Sequence, residues 1–341
     1  MKVFIIELSH TIDRLLKALT RSPALKTISA YFIVALIVFF CACGFPQENA
    51  HASLEVVPIC LSIILLVPLY VWYRLYTGKE KLSKEVDGRK KTAIVFRILI
   101  LFALAMAVRI PSVLLYSMPY EKTPLIFLII LTIALIEKTD VSAFGFKPKN
   151  IGTSLLKGAT LYLVFDGSTL LIEYLLIHAL TGQSIMGSFD ILAFLSAMPF
   201  HTLCVGISEE GFFRGYMQTH LEKHYTFRKA ILIQAFAFGV WHFVWNISPF
   251  NPLDMAVYVV TTCFWGLLVG YFYGKSRSLV PLFLTHGLWN SVIAGILTNE
   301  AALDALGRTT FLNQISVALL PYIISGILTF AVIKYLVKET D

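Results

Sequence analysis

The chain has 341 residues, 57% of them hydrophobic and only 14% charged, with a mean hydropathy of +0.75. That balance excludes a soluble globular domain. The net charge of +7 does not point to nucleic acid either, because in a membrane protein basic residues collect on the cytoplasmic loops.

In chain order, residues 1–26 come first, with Phe4, Ile5, Leu8, Ile12, Leu15, Leu16 and Leu19 at helical spacing and Arg14, Lys17 and Arg21 on other faces. This predicts an interfacial amphipathic helix, and the stretch is too polar for a cleavable signal, so the N-terminus is expected to be retained. Ten apolar runs follow, at about 27–45, 56–73, 93–116, 124–136, 154–178, 190–208, 230–246, 254–274, 279–296 and 313–333. They predict an all-α polytopic bundle of about ten spans. The expected organisation is N-terminal spans over 27–189, a polar-residue-bearing core over 190–296, and a last span with its tail over 297–341. The fourth run has thirteen residues, short for a span, and is expected to be tilted or partly inserted.

With both termini cytoplasmic, the inner segments hold 22 of the 28 Lys and Arg, and the outer loops hold only Lys122 and Arg308. Arg97, Arg109, Lys157 and Arg214 fall within or at the ends of spans. The charged stretch 79–91 reads as a solvated, topology-setting loop. All five cysteines lie in or beside apolar runs and read as small hydrophobes, not as a disulfide framework.

A charge near the bilayer centre calls for a partner, a water pocket or a role. Arg97 can snorkel to the membrane surface. Arg109, Asp166 and Glu173 lie deeper, and an interhelical ion pair and an ion path are both open for them. The stretch ISEEGFFRGYMQ, residues 207–218, is denser, with Glu209, Glu210 and Arg214 on one segment. Glu210 and Arg214 are four apart and share a helix face, so they are expected to pair. Glu209 points about 100° away and is left without a cation, which suits a carboxylate to proton exchange near neutral pH.

His242 lies in the next run, and His286 and Asn290 lie four apart in a later one. Residues 209 and 242 are equidistant from the polar stretch 222–229, the expected turn of a hairpin, so Glu209 and His242 can face each other. The same folding-back argument puts the matching level near residue 294, leaving His286 and Asn290 too close to the cytoplasm. Gly211, Gly215, Gly266, Gly270 and Gly274 offer small faces for close helix approach.

The ordered set EExxxR (Glu209, Glu210, Arg214), FxxxH (Phe238, His242) and HxxxN (His286, Asn290) resembles the CAAX protease and bacteriocin-processing family, over roughly residues 190–296. The resemblance implies peptide-bond hydrolysis within the membrane. Glu209 and His242 would activate water, His286 and Asn290 would stabilise the oxyanion, and Glu210 and Arg214 would support them, with Phe238 part of the motif. Its implied partners are membrane lipid and a hydrophobic or prenylated peptide or protein substrate, at a site expected to open towards the cytoplasm. The setting would be an integral, multi-pass membrane protein, placed in the cell membrane if the source is a prokaryote.

Glu209, His242 and His286 could also supply three ligands to zinc. One glutamate serves poorly as both ligand and base, so the metal-free reading is favoured. Two other classes stay open: a transporter or channel using Arg109, Asp166 and Glu173, and a non-catalytic scaffold or immunity protein.

Overall fold

The computed structural model describes residues 22–44, 52–88, 91–147 and 150–338. The expected interfacial helix within 1–26 lies almost wholly outside them. The helices are α1 Pro23–Cys43, α2 Val56–Thr77, α3 Lys91–Tyr116, α4 Lys122–Ile136, α5 Ile151–Thr181, α6 Ile191–Leu221, α7 Phe227–Trp241, α8 Pro252–Ser276, α9 Val280–Gly295, α10 Glu300–Gly307 and α11 Phe311–Val337. The molecule is an all-α polytopic bundle, with one short antiparallel ribbon of β1 (Met186–Phe189) and β2 (Ile296–Thr298).

Seven of these helices, α1, α2, α3, α5, α6, α8 and α11, are long and apolar enough to cross a membrane. The other three of the ten expected spans are helical but shorter. α7 and α9 have 15 and 16 residues, or roughly 23 Å at 1.5 Å per residue, against a hydrocarbon thickness of about 30 Å. α4 is also short, yet Leu125, Ile126, Leu128 and Ile129 are all buried. It is an interior helix packed against α1 and α6. Helix ends inside the hydrocarbon region are tolerated where protein covers them.

The connections define two ends. At one end, Ser83 N–H donates to Lys138 O and Asp140 N–H to Ser83 O (2.9 and 2.8 Å), Leu279 N–H donates to Gly145 O (3.0 Å), and Arg277 pairs with Glu222. This end carries the basic loops. Glu137 ties it to the bundle, accepting from Arg97 (2.6 Å), Tyr216 (2.6 Å) and His220 (3.0 Å). Burial alone would raise its carboxyl, and these donors outweigh burial and hold it below the usual range. The opposite end carries 117–121, the β1–β2 ribbon and the 242–251 connection. Between the ends, Phe102, Phe212, Phe213, Phe238 and Trp241 form an aromatic knot of stacked and edge-on rings.

Candidate active site

Glu209 and Glu210 occupy the α-helical turn Ile207–Glu210 of α6, between wider i→i+5 turns at His201–Gly206 and Gly211–Gln218. The first of these follows Pro199, which lacks the N–H that would continue the regular ladder. Such turns re-aim side chains and recur at functional sites. Both carboxylates are buried.

The two glutamates have different partners. Glu210 Oε1 accepts from Arg214 Nη1 (3.3 Å) and from His286 Nδ1–H (2.8 Å). The expected Glu210–Arg214 pair is therefore present, and the Arg214 guanidinium lies 4.0 Å over the Phe238 ring. Glu209 differs from expectation: it is not left without a cation. Lys122 Nζ donates to its Oε1, Trp241 Nε1–H donates to the same oxygen at 2.8 Å, and Arg109 Nη1 is 3.9 Å away. Lys122 also pairs with Glu121 (2.8 Å), which binds Arg109. Counting basic residues assigns Lys122 to an exposed outer loop, but it is 1% exposed. Charge counting locates the end of the bundle; it does not reveal that the start of α4 folds inward over a carboxylate. Three buried carboxylates (Glu121, Glu209, Glu210) thus face three buried cations (Arg109, Lys122, Arg214). This balance lets charge persist in a low-dielectric interior.

The other oxygen, Glu209 Oε2, is buried and accepts no hydrogen bond from the described residues. It lies 3.4 Å from His286 Nε2 and 3.8 Å from His242 Nε2. His242 donates Nδ1–H to Phe238 O at 2.8 Å, four residues back on α7, and His286 donates Nδ1–H to Glu210. Both rings therefore present Nε2 to Glu209. Their backing differs: His242 rests on a backbone carbonyl, whereas His286 rests on the Glu210 carboxylate.

The depth mismatch expected for His286 is closed by the seating of the α8–α9 turn. Leu279 packs at Gly215 of α6, where a Cβ would fall 3.0 Å from its Cδ1. The turn therefore lies well inside the 222–226 turn. From that shared level Glu209 is six residues up α6 and His286 seven up α9, each about 10 Å at 1.5 Å per residue. Gly206 and Gly158 allow the approach, since a Cβ there would meet the Phe283 carbonyl at 2.8 Å and the Pro281 carbonyl at 2.6 Å. Asn290 lies one turn beyond His286 and lines the same two cavities, of about 270 and 210 Å³.

The smaller cavity is walled by Ser117, Met118, Pro119 and Trp245, at the end opposite the basic loops. The opening expected from the sequence is on the side of those loops, whereas this cavity lies at the other end of the bundle. The reason lies in α7, which ends at His242 and so places the histidine at the far end from the 222–226 turn. Arg109, Asp166 and Glu173 are also separated: Arg109 belongs to the Glu209 cluster, while Asp166 and Glu173 line cavities behind the histidines.

Sequence reasoning missed Lys122, Glu121 and Trp241 as neighbours of Glu209. Trp241 adjoins His242 in the sequence, but an aromatic there reads equally as core. As for zinc, among the described residues no group of three or more His, Cys, Asp or Glu side chains is disposed to hold a metal ion. The donor set fits poorly in any case, because Lys122 and Arg109 already neutralise the carboxylate that would have to attract the ion.

No curated protein and no solved structure matches the chain. Residues 191–292 of this multi-pass membrane protein, which carry Glu209, His242 and His286 together, match the family model described as Type II CAAX prenyl endopeptidase Rce1-like, consistent with the resemblance to the CAAX protease family seen in the sequence.

Proposed function

We propose that the protein is an intramembrane endopeptidase that hydrolyses a peptide bond in a hydrophobic or prenylated peptide or protein segment, using water activated by Glu209 and His242. The observation that carries this reading is the buried, unpartnered Glu209 Oε2 facing two imidazole Nε2 atoms. A water molecule there gives one proton to Glu209 Oε2 while its oxygen attacks the scissile carbonyl, and the proton then passes to the leaving amine. His242, neutral on its carbonyl anchor, aligns the water. His286, oriented by Glu210, and Asn290 stabilise the developing oxyanion. Glu210 fixes the His286 ring, Arg214 neutralises Glu210, and Phe238 seats both Arg214 and His242.

The test is direct. Purified full-length protein in detergent is given a hydrophobic peptide library, and products are read by mass spectrometry as fragments whose summed mass exceeds the substrate by one water. Equal cleavage by wild type and Glu209→Gln would overturn the reading, and no cleavage by either would favour the non-catalytic scaffold.

Two further results are expected. Active protein should contain substoichiometric metal by elemental analysis and keep its rate under chelators. A bound divalent ion whose removal abolishes cleavage would overturn the metal-free mechanism. With the basic end cytoplasmic, the site opens to the other side of the membrane. In a cysteine-free background, an impermeant maleimide should label Gln183→Cys in intact cells and Lys84→Cys only after lysis. The reverse pattern would place the opening in the cytoplasm.

A further inference from the structure

α5 holds Asp166 in a second i→i+5 turn, Leu163–Gly167, away from Glu209 and its cations. Asp166 is 3% exposed and its Oδ2 accepts no hydrogen bond from the described residues. A buried carboxylate without a partner is costly in an apolar interior, and nothing in the hydrolytic cluster uses this one. It lines the cavity of about 270 Å³ that His242, His286 and Asn290 also line. The other walls include Trp265, Trp289, Tyr258 and Tyr322, and, among the described residues, no lysine or arginine.

Tyr258, Thr261 and Tyr322 also wall a second cavity, of about 510 Å³, which adds Glu173 and Asp254 and likewise contains no basic side chain. Asp254 is exposed at the start of α8, at the end opposite the basic loops. Three carboxylates therefore line two cavities that share a wall, the outer one at that surface and the inner one at the two histidines. Aromatic faces with a carboxylate among them form a cation site: ring quadrupoles attract the positive charge, and the carboxylate completes a charge-assisted hydrogen bond. A purely apolar substrate would fill the same walls and leave Asp166 unsatisfied.

We propose that Asp166 recognises a cationic side chain of the substrate, so that cleavage occurs close to a lysine or arginine, with Glu173 and Asp254 drawing that residue in. The cleavage aspect rests on the peptidase reading above; the binding aspect does not.

The experiment uses full-length detergent-purified protein and one hydrophobic peptide made in four versions, with lysine, arginine, norleucine or glutamate at a single position that is walked along the peptide. At one position, wild type should give a kcat/KM about tenfold or more higher for lysine and arginine than for norleucine, the size of a charge-assisted hydrogen bond. Asp166→Asn should collapse that ratio towards one, whatever it does to the overall rate, with the change carried mainly in KM. An unchanged ratio in Asp166→Asn, or no basic preference at any position in an active wild type, would overturn the proposal. Binding supplies the independent arm. In Glu209→Gln protein, the lysine peptide should change tryptophan fluorescence, through Trp265 and Trp289, at concentrations about tenfold lower than the norleucine peptide, and Glu209→Gln/Asp166→Asn should lose that difference. Equal affinities in Glu209→Gln would overturn the cationic pocket even if no hydrolysis is ever seen. Preferential binding without hydrolysis would keep the pocket and remove the peptidase reading.

Discussion

Glu209→Gln is expected to lower kcat by about 10²- to 10⁴-fold, the contribution of a positioned general base, with a smaller change in KM. Gln preserves the shape of the side chain and can still accept from Trp241 and Lys122 through Oε1, so the missing element is the negative charge at Oε2. That charge also balances Lys122 and Arg109, and removing it leaves a buried cation less compensated. Part of any loss of activity could then be a loss of folding. His242→Ala separates the two effects, because His242 belongs to no buried carboxylate–cation pair: its Nδ1–H bonds a backbone carbonyl. It should lose a similar factor in kcat while melting close to wild type. If either variant, shown to be folded by its melting curve, cleaves within a few-fold of wild type, the assigned water activation is wrong. Asn290→Ala should cost about 10²- to 10³-fold if it is one of the oxyanion donors.

Lys122→Met should produce the largest loss of stability, about 3–5 kcal/mol, the penalty for removing one member of a buried ion pair. Its ammonium lies between Glu121 and Glu209, and without it two buried carboxylates share Arg109 alone. Activity should fall too, because Lys122 holds Oε1 and thereby aims Oε2 at the histidines. Combining Lys122→Met with Glu209→Gln removes a cation and an anion together. The double variant should therefore melt higher than the sum of the two single losses predicts, and may be compared by thermal unfolding in one detergent. It should stay inactive. Strict additivity of the two destabilisations would show that the pair is not energetically coupled. The regained stability without regained cleavage separates the structural role of Lys122 from the chemical role of Glu209.

Much of this site was legible in the chain because its motifs are local. Glu210 and Arg214 meet across one helical turn, His242 reaches Phe238 O across another, and Glu209 and His242 are equidistant from one turn of polar residues. Composition and the Lys and Arg distribution were enough to require a helical membrane bundle, since only closed internal hydrogen bonding lets a chain this apolar cross a bilayer. Tertiary structure decided what depends on contacts between distant segments. Lys122 and Arg109 reach Glu209 from helices about 90 to 100 residues away, a relation that carries no periodicity. The level of His286 depended on how deeply the α8–α9 turn seats against Gly215, which is a packing property. The shortness of α4, α7 and α9 is tolerated only because neighbouring helices cover their ends. Asp166 illustrates the same division: the sequence marks it as a charge in an apolar run, but only the packed bundle places it in the wall of a cavity that the histidines also line, with no lysine or arginine among the described lining residues.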